Sequence, residues 1–392
     1  MKNNVFITLL PVTLAVFIAF LTMGMQLPVL PLHLQQNLGM DTLAIGTVIG
    51  AQFIASLLTR SWAGNFADMR GAKRAVLTGL LVVASSGVIY LISLLFVDRP
   101  ASSVAILLLG RVVLALGESL LATGALGWGL GLVGPANAGK VMAWIGIAIY
   151  GAWALGAPLG VAIYHGWHFT GIAMAIIVVP LLPLMFITQV RAVAPTSTKR
   201  TPFYKVMGAV WRPGLGLALA SVGFGMITAF IALLFAARAW GNASLAFTAF
   251  GVAFIAARLF FAHLPDKLGG ARVALVCVLI EACGQLLIWG ADDATLVYLG
   301  AALTGFGYSL AFPAFGVEAV RRAPPHTRSL AMGAYVAFLD IALAVTSPLA
   351  GALAAHRGVA SVYLAGAIAV ALAMLVALSL MARQPQPQAA ME

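Results

Sequence analysis

The chain has 392 residues, 62% of them hydrophobic and 8% charged. A soluble domain carries about 25% charged residues, so water is the wrong solvent for most of this surface. The net charge of +11 would suggest nucleic acid in a soluble protein, but here it collects in short loops between apolar runs, which excludes that reading. Also excluded are an ATP-driven pump and an enzyme, because no nucleotide-binding loop, nucleophile–base pair or metal-ligand cluster is present.

The apolar runs are repeatedly about 20 residues long, the length that crosses roughly 30 Å of hydrocarbon as helix. Barrel strands would be about 10 residues long and strictly alternating. Twelve spans are expected, at 5–27, 42–63, 75–96, 102–127, 141–163, 167–189, 213–236, 243–262, 273–290, 294–317, 329–353 and 359–382. The first run exceeds a signal-peptide core and lacks a small-residue cleavage site. With the N-terminus inside, 16 of the 22 Lys and Arg fall on the cytoplasmic side, and only Arg99, Arg238 and Arg357 on the other. This positive-inside bias places both termini in the cytoplasm, with the basic loops against anionic lipid.

Span one carries Thr22 and Gln26 on one face, for a water-filled cavity or for a helix–helix hydrogen bond. Span two holds Gln52 and ends near Arg60, where a long side chain can snorkel to the interface. A charged turn follows, Gly64 to Arg74, with Asp68, Gly71 and Lys73 within it. The turn recurs: Asp266, Gly269 and Arg272 repeat Asp68, Gly71 and Arg74, and Arg258 repeats Arg60, all at an offset of 198 residues. Four matches at one offset mark a duplicated unit of half the chain.

Span four contains Arg111 and Glu118 on one face. Ionisable groups deep in a span mark function or an ion pair with another helix. Span five carries Gly146, Gly151, Gly156, Pro158 and Gly160; the glycines permit close helix approach and the proline a hinge. Residues 191–212 read as a cytoplasmic linker between bundles at 1–190 and 213–392.

The second half repeats the first at an offset of 190 in the later spans: Gly117-Glu118-Ser119 aligns with Gly307-Tyr308-Ser309, and Pro158 with Pro348. Tyr150 then stands opposite Asp340, so each half has one acid and one tyrosine, exchanged in position. Two acid–tyrosine sets lining one cavity are expected, with Glu118 and Asp340 as proton-handling candidates and Gln26, Gln52, Arg111, Tyr150 and Tyr308 facing the solute. Arg111 is expected to offset the cost of a charged Glu118. Glu281 in span nine and Glu318 at the end of span ten carry less, Glu318 reading as an interfacial salt bridge with Arg321 and Arg322. Cys277 and Cys283 form neither a disulfide framework nor a metal spacing.

On Gly64, Asp68, Gly71, Lys73 and Arg74 the chain resembles the major facilitator superfamily over essentially its whole length. Arg111 stands where that family has its span-four arginine, and the glycines and Pro158 of span five are similar to the antiporter motif, although Ala157 separates Gly156 from Pro158 and Phe66 replaces the usual leucine. Gly117 to Ser119, Gly316 to Val320 and Ala337 to Asp340 resemble the bacterial efflux-permease branch. The resemblance implies an all-α membrane protein of twelve helices in two pseudo-symmetric six-helix bundles, rocking around a central site. It further implies a monomeric, proton-driven exporter of a small organic molecule, without cofactor. The latch would be Gly64, Asp68, Gly71, Lys73, Arg74, Asp266, Gly269 and Arg272, and the hinge Gly156, Pro158 and Pro348. Proton-coupled uptake shares the same fold and stays open, and a non-transporting sensor or scaffold would need a signalling domain that this sequence lacks.

Overall fold

The computed structural model describes residues 5–134, 137–194, 204–322 and 328–382. Every regular element among them is helical, and eleven helices are long and apolar enough to span a membrane. The longest, Lys140–Ile187, would measure about 72 Å as one rod, more than twice the roughly 30 Å of hydrocarbon. It breaks at His168, where φ is 50°, and so supplies spans five and six. All twelve expected spans are thus helical.

The largest departure lies at the charged stretch. Span two runs on as Thr42–Arg70 and span three begins at Ala72. Gly64 to Arg74 is therefore not a loop: it is a helix end, a one-residue break and a helix start. Hydropathy marks where the bilayer ends, whereas the helix continues past it through Gly64, Asn65 and Asp68 despite their low helix propensity, which tertiary context overrides. The break is at Gly71, φ 96°, and its repeat at Gly269, φ 90°; without a Cβ, glycine takes this conformation at little cost. Span seven likewise begins at Tyr204, inside the stretch read as linker, and continues through Pro213. Residues 195–203, the Asp266 side chain and Arg383 lie outside the described residues.

Lipid is as apolar as leucine, so close packing of small residues, more than burial, holds the spans together. Span one lies on span five through Gly24 and Gly156: a Cβ added at Gly156 would come within 2.9 Å of the Gly24 Cα. Span four lies on span three through Gly117, whose added Cβ would meet the Val83 backbone nitrogen at 2.8 Å. Span ten lies on span nine through Gly307, which would meet the Glu281 nitrogen at 2.9 Å. The duplication thus repeats as a packing detail, with Glu281 standing where the first half has Val83.

The halves meet along span two against span eleven and span five against span eight. Gly46 faces the Ser347 carbonyl, Gly50 faces Ala344 and Pro348, and Gly251 faces Ala154. The Thr42 hydroxyl donates to the Gly351 carbonyl at 2.8 Å, and that of Thr248 to the Ala154 carbonyl at 2.9 Å. These contacts lie toward the end of the molecule opposite Gly71, so that far end is closed.

Candidate functional site

Between the halves, deep to the closed end, lies a cleft with a volume of about 30 Å³, lined by Gln26, Gln52, Arg111, Trp153, Phe224 and Thr228 among others. It is narrow, so an organic solute fits only when the halves part. Five spans contribute to it: one, two, four, five and seven. Gln26, Gln52 and Arg111 line it as their positions in the sequence predict. The Arg111 guanidinium donates to Gln26 Oε1 at 3.2 Å, and the Tyr90 hydroxyl donates to the same oxygen at 3.1 Å. Gln26 Nε2 donates to the Thr22 carbonyl at 3.0 Å, one turn back on its own helix. Gln26 is therefore fixed at both ends of its amide, and it positions Arg111.

Glu118 lies one layer behind Gln52. Both its oxygens accept from Gln52 Nε2, at 2.9 and 2.7 Å. It lies within electrostatic reach of Arg111 and Asp340, but among the described residues no ion pair joins it to Arg111. Gln52, not Arg111, is its direct partner.

Asp340, 2% exposed, accepts from Arg60, with Nη2 at 2.6 Å and Nε at 2.8 Å from Oδ2. This corrects the reading of Arg60 as a snorkelling residue at the membrane edge. Because span two extends to Arg70, Arg60 sits well inside the helix and turns inward. It joins span two of one half to span eleven of the other. Its side chain is 32% exposed, whereas that of Asp340 is buried.

The expected acid–tyrosine sets are not what the structure builds. Tyr150 and Tyr308 come together across the interface, with ring centroids 6.4 Å apart. Tyr150 stacks on Phe254 at 3.8 Å, and Phe224 stacks on Tyr308 at 5.4 Å. Neither tyrosine lines the cleft; both stand behind Phe224 and Trp153. The symmetry instead runs through the arginines. Arg258, the repeat of Arg60, lies 4.9 Å over the Phe254 ring and within electrostatic reach of Tyr150, the repeat of Asp340. Phe254 belongs to the same helix as Arg258; across the halves Arg258 faces Tyr150 and Gly146 of span five, so the second crossing has an arginine without the carboxylate that Arg60 meets. The constant spacing of Arg60 and Arg258 was the sequence signal for it.

Glu281 is fully buried, and neither carboxyl oxygen has a hydrogen-bond partner among the described residues. Glu318 forms the salt bridges expected of it with Arg322 and, at 3.6 Å, Arg321, and it also accepts from the Ala271 amide at the start of span nine. Lys73 donates to the Thr188 and Val190 carbonyls at 2.6 and 2.7 Å, tying the Gly71 break to the end of span six. Asp68 and Arg74 are exposed, and among the described residues Asp68 has no hydrogen-bond or ion-pair partner. The helix passes through Pro158 unbroken. Pro348 also lies within a helix, against Gly46 and Gly50 at the contact between the halves.

The sequence model of the Major Facilitator Superfamily matches residues 12–238 and 214–390. An uncharacterized MFS-type transporter of Salmonella typhimurium is 45% identical over 369 residues, covering 93% of this chain and 94% of its own. One from Burkholderia mallei is 44% identical over 368 residues, covering 94% and 90%. Among solved structures, the human organic anion transporter MFSD10 superposes with a TM-score of 0.71 at 16% identity, covering 96% of this chain and 100% of that one. A bacterial homolog of the human lysosomal transporter Spinster, inward-facing and occupied, superposes at 0.72 with 12% identity, covering 98% of both. The likeness to the solved structures is one of fold. With the duplicated halves, the cleft between them and relatives this similar over nearly their whole length, the chain belongs to the major facilitator superfamily and is a multi-pass secondary transporter.

Proposed function

We propose that this transporter is proton-coupled and exports a small organic solute in exchange for protons across the bacterial inner membrane, with both termini in the cytoplasm. The observation that carries the reading is the Arg60–Asp340 pair. It places a carboxyl in the membrane interior as a link between the two moving halves. Ionised, Asp340 holds Arg60; protonated, it loses the charge that holds it. Coupling requires such a group, one whose protonation alters the contact between the halves. With the Gly71 end cytoplasmic, the structure is closed outward, and its paired Asp340 represents the state after proton release to the inside. The exposed Asp68 agrees with a latch that engages only when the inside closes.

Uptake together with a proton is favoured by a different observation, the electrostatic reach between Arg111 and Glu118. A solute drawing on Arg111 binds best when Glu118 is neutral, so Glu118 as the coupling acid gives symport, whereas Asp340 as the coupling acid gives exchange. Everted vesicles with an inward proton gradient decide between them. Proton release on adding a compound, lost in Asp340→Asn, supports exchange. Solute uptake under a proton gradient in right-side-out vesicles, lost in Glu118→Gln, supports symport. Proton release that survives both substitutions removes the two acids from the mechanism.

A further inference from the structure

Arg111 is a buried cation, 7% exposed, with no carboxylate within 4 Å of it among the described residues. Its hydrogen bond goes to a neutral amide oxygen that Tyr90 already shares, and its Nε has no partner among the described residues. Burying a guanidinium away from water without a counter-ion is costly. Glu118 does not relieve this by contact, because Gln52 binds both its oxygens. Arg111 lines the cleft, and a planar fork of N–H groups fits a carboxylate bidentately.

We infer that the solute is a small monocarboxylate with an apolar body, its carboxylate on Arg111 and its body against Leu27, Ile49, Phe53, Trp153 and Phe224. Among the described residues Arg111 is the one charged residue lining the cleft, so a second negative charge on the solute would go unmatched, which disfavours polyanions. No acid among the described residues lines the cleft, which disfavours cations. The inference rests on the chain's being a transporter and not on the direction of transport.

The test uses purified full-length protein in nanodiscs, titrated with phenylacetate and octanoate and with their primary amides, and read by tryptophan fluorescence with Trp153 in the cleft wall. The acids are expected to bind roughly 10- to 100-fold more tightly than the amides, as charge-assisted hydrogen bonds dictate. Arg111→Gln should erase the preference while amide binding persists, which also shows that the variant is folded. Arg111→Lys, which keeps the charge and loses the fork, should retain part of the preference. Equal binding of acid and amide by the native chain, or a preference that survives in Arg111→Gln, overturns the inference and leaves secondary transport standing. Acid binding without transport of any compound in vesicles would count against the proton-coupled reading alone.

Discussion

Gln52 meets Glu118 through one nitrogen atom, and this makes the pair testable by subtraction. Gln52→Leu leaves a buried carboxyl without its donor, at a cost of about 1–3 kcal/mol, which should lower the midpoint of thermal unfolding. Glu118→Leu on that background should recover most of the loss, since removing both partners is nearly neutral. A double variant no more stable than Gln52→Leu would show that the bond is not what holds Glu118. At the crossing, Arg60→Asp with Asp340→Arg should restore the link that either change alone breaks, as read by spin-label distances between spans two and eleven. The sequence showed Glu118, Arg111, Gln26 and Gln52 as polar groups in apolar spans, because such groups are rare there. It did not show that Asp340 is held by Arg60, because the two are far apart in the chain and hydropathy ended span two short of its helix. The tyrosines were found by alignment but assigned the wrong neighbours, since alignment gives equivalence between halves and not contact across them.

Helices here touch through glycine, and the two kinds of contact should respond differently to added bulk. Gly156 lies within one bundle, its added Cβ 2.9 Å from the Gly24 Cα. Gly156→Val has no flexible side chain to push aside, so the variant should be poorly folded in detergent, judged by size-exclusion chromatography. Gly46 faces the Ser347 carbonyl across the gap between bundles. Gly46→Val can be relieved by parting the halves, so the protein should remain folded and shift toward a state open at the far end. Greater labelling of a cysteine placed near the Thr42–Gly351 contact would report that shift, whereas unchanged labelling with normal folding would show that this contact does not set the conformation. The sequence flagged the span-five glycines as a packing stripe or hinge; the structure places Gly156 in packing and puts the backbone break at His168 instead.

As a whole, the molecule is two copies of one design joined at two crossings of unequal chemistry. Arg60 meets a carboxylate that can take up a proton, and Arg258 faces Tyr150 and Gly146 of span five. Rocking is therefore expected to be proton-sensitive at one crossing and constant at the other. Arg258→Gln should alter the resting balance between inward and outward states without changing how that balance depends on pH, and Asp340→Asn should abolish the dependence. Asp68→Asn should bias the molecule toward the conformation open at the Gly71 end; unchanged accessibility of cysteines placed there would sink the latch reading. What the amino-acid order determined by itself is the class, the twelve spans, the duplication and the family. The first three follow from composition, run length and repeat offset, and the family from the resemblance carried by Gly64, Asp68, Gly71, Lys73 and Arg74, all of them properties along the chain. Only the tertiary structure decided which polar groups meet: Gln52 with Glu118, Arg60 with Asp340, and Arg111 with no carboxylate among the described residues. Such pairs form between residues on different helices, and their partners depend on how the bundles pack.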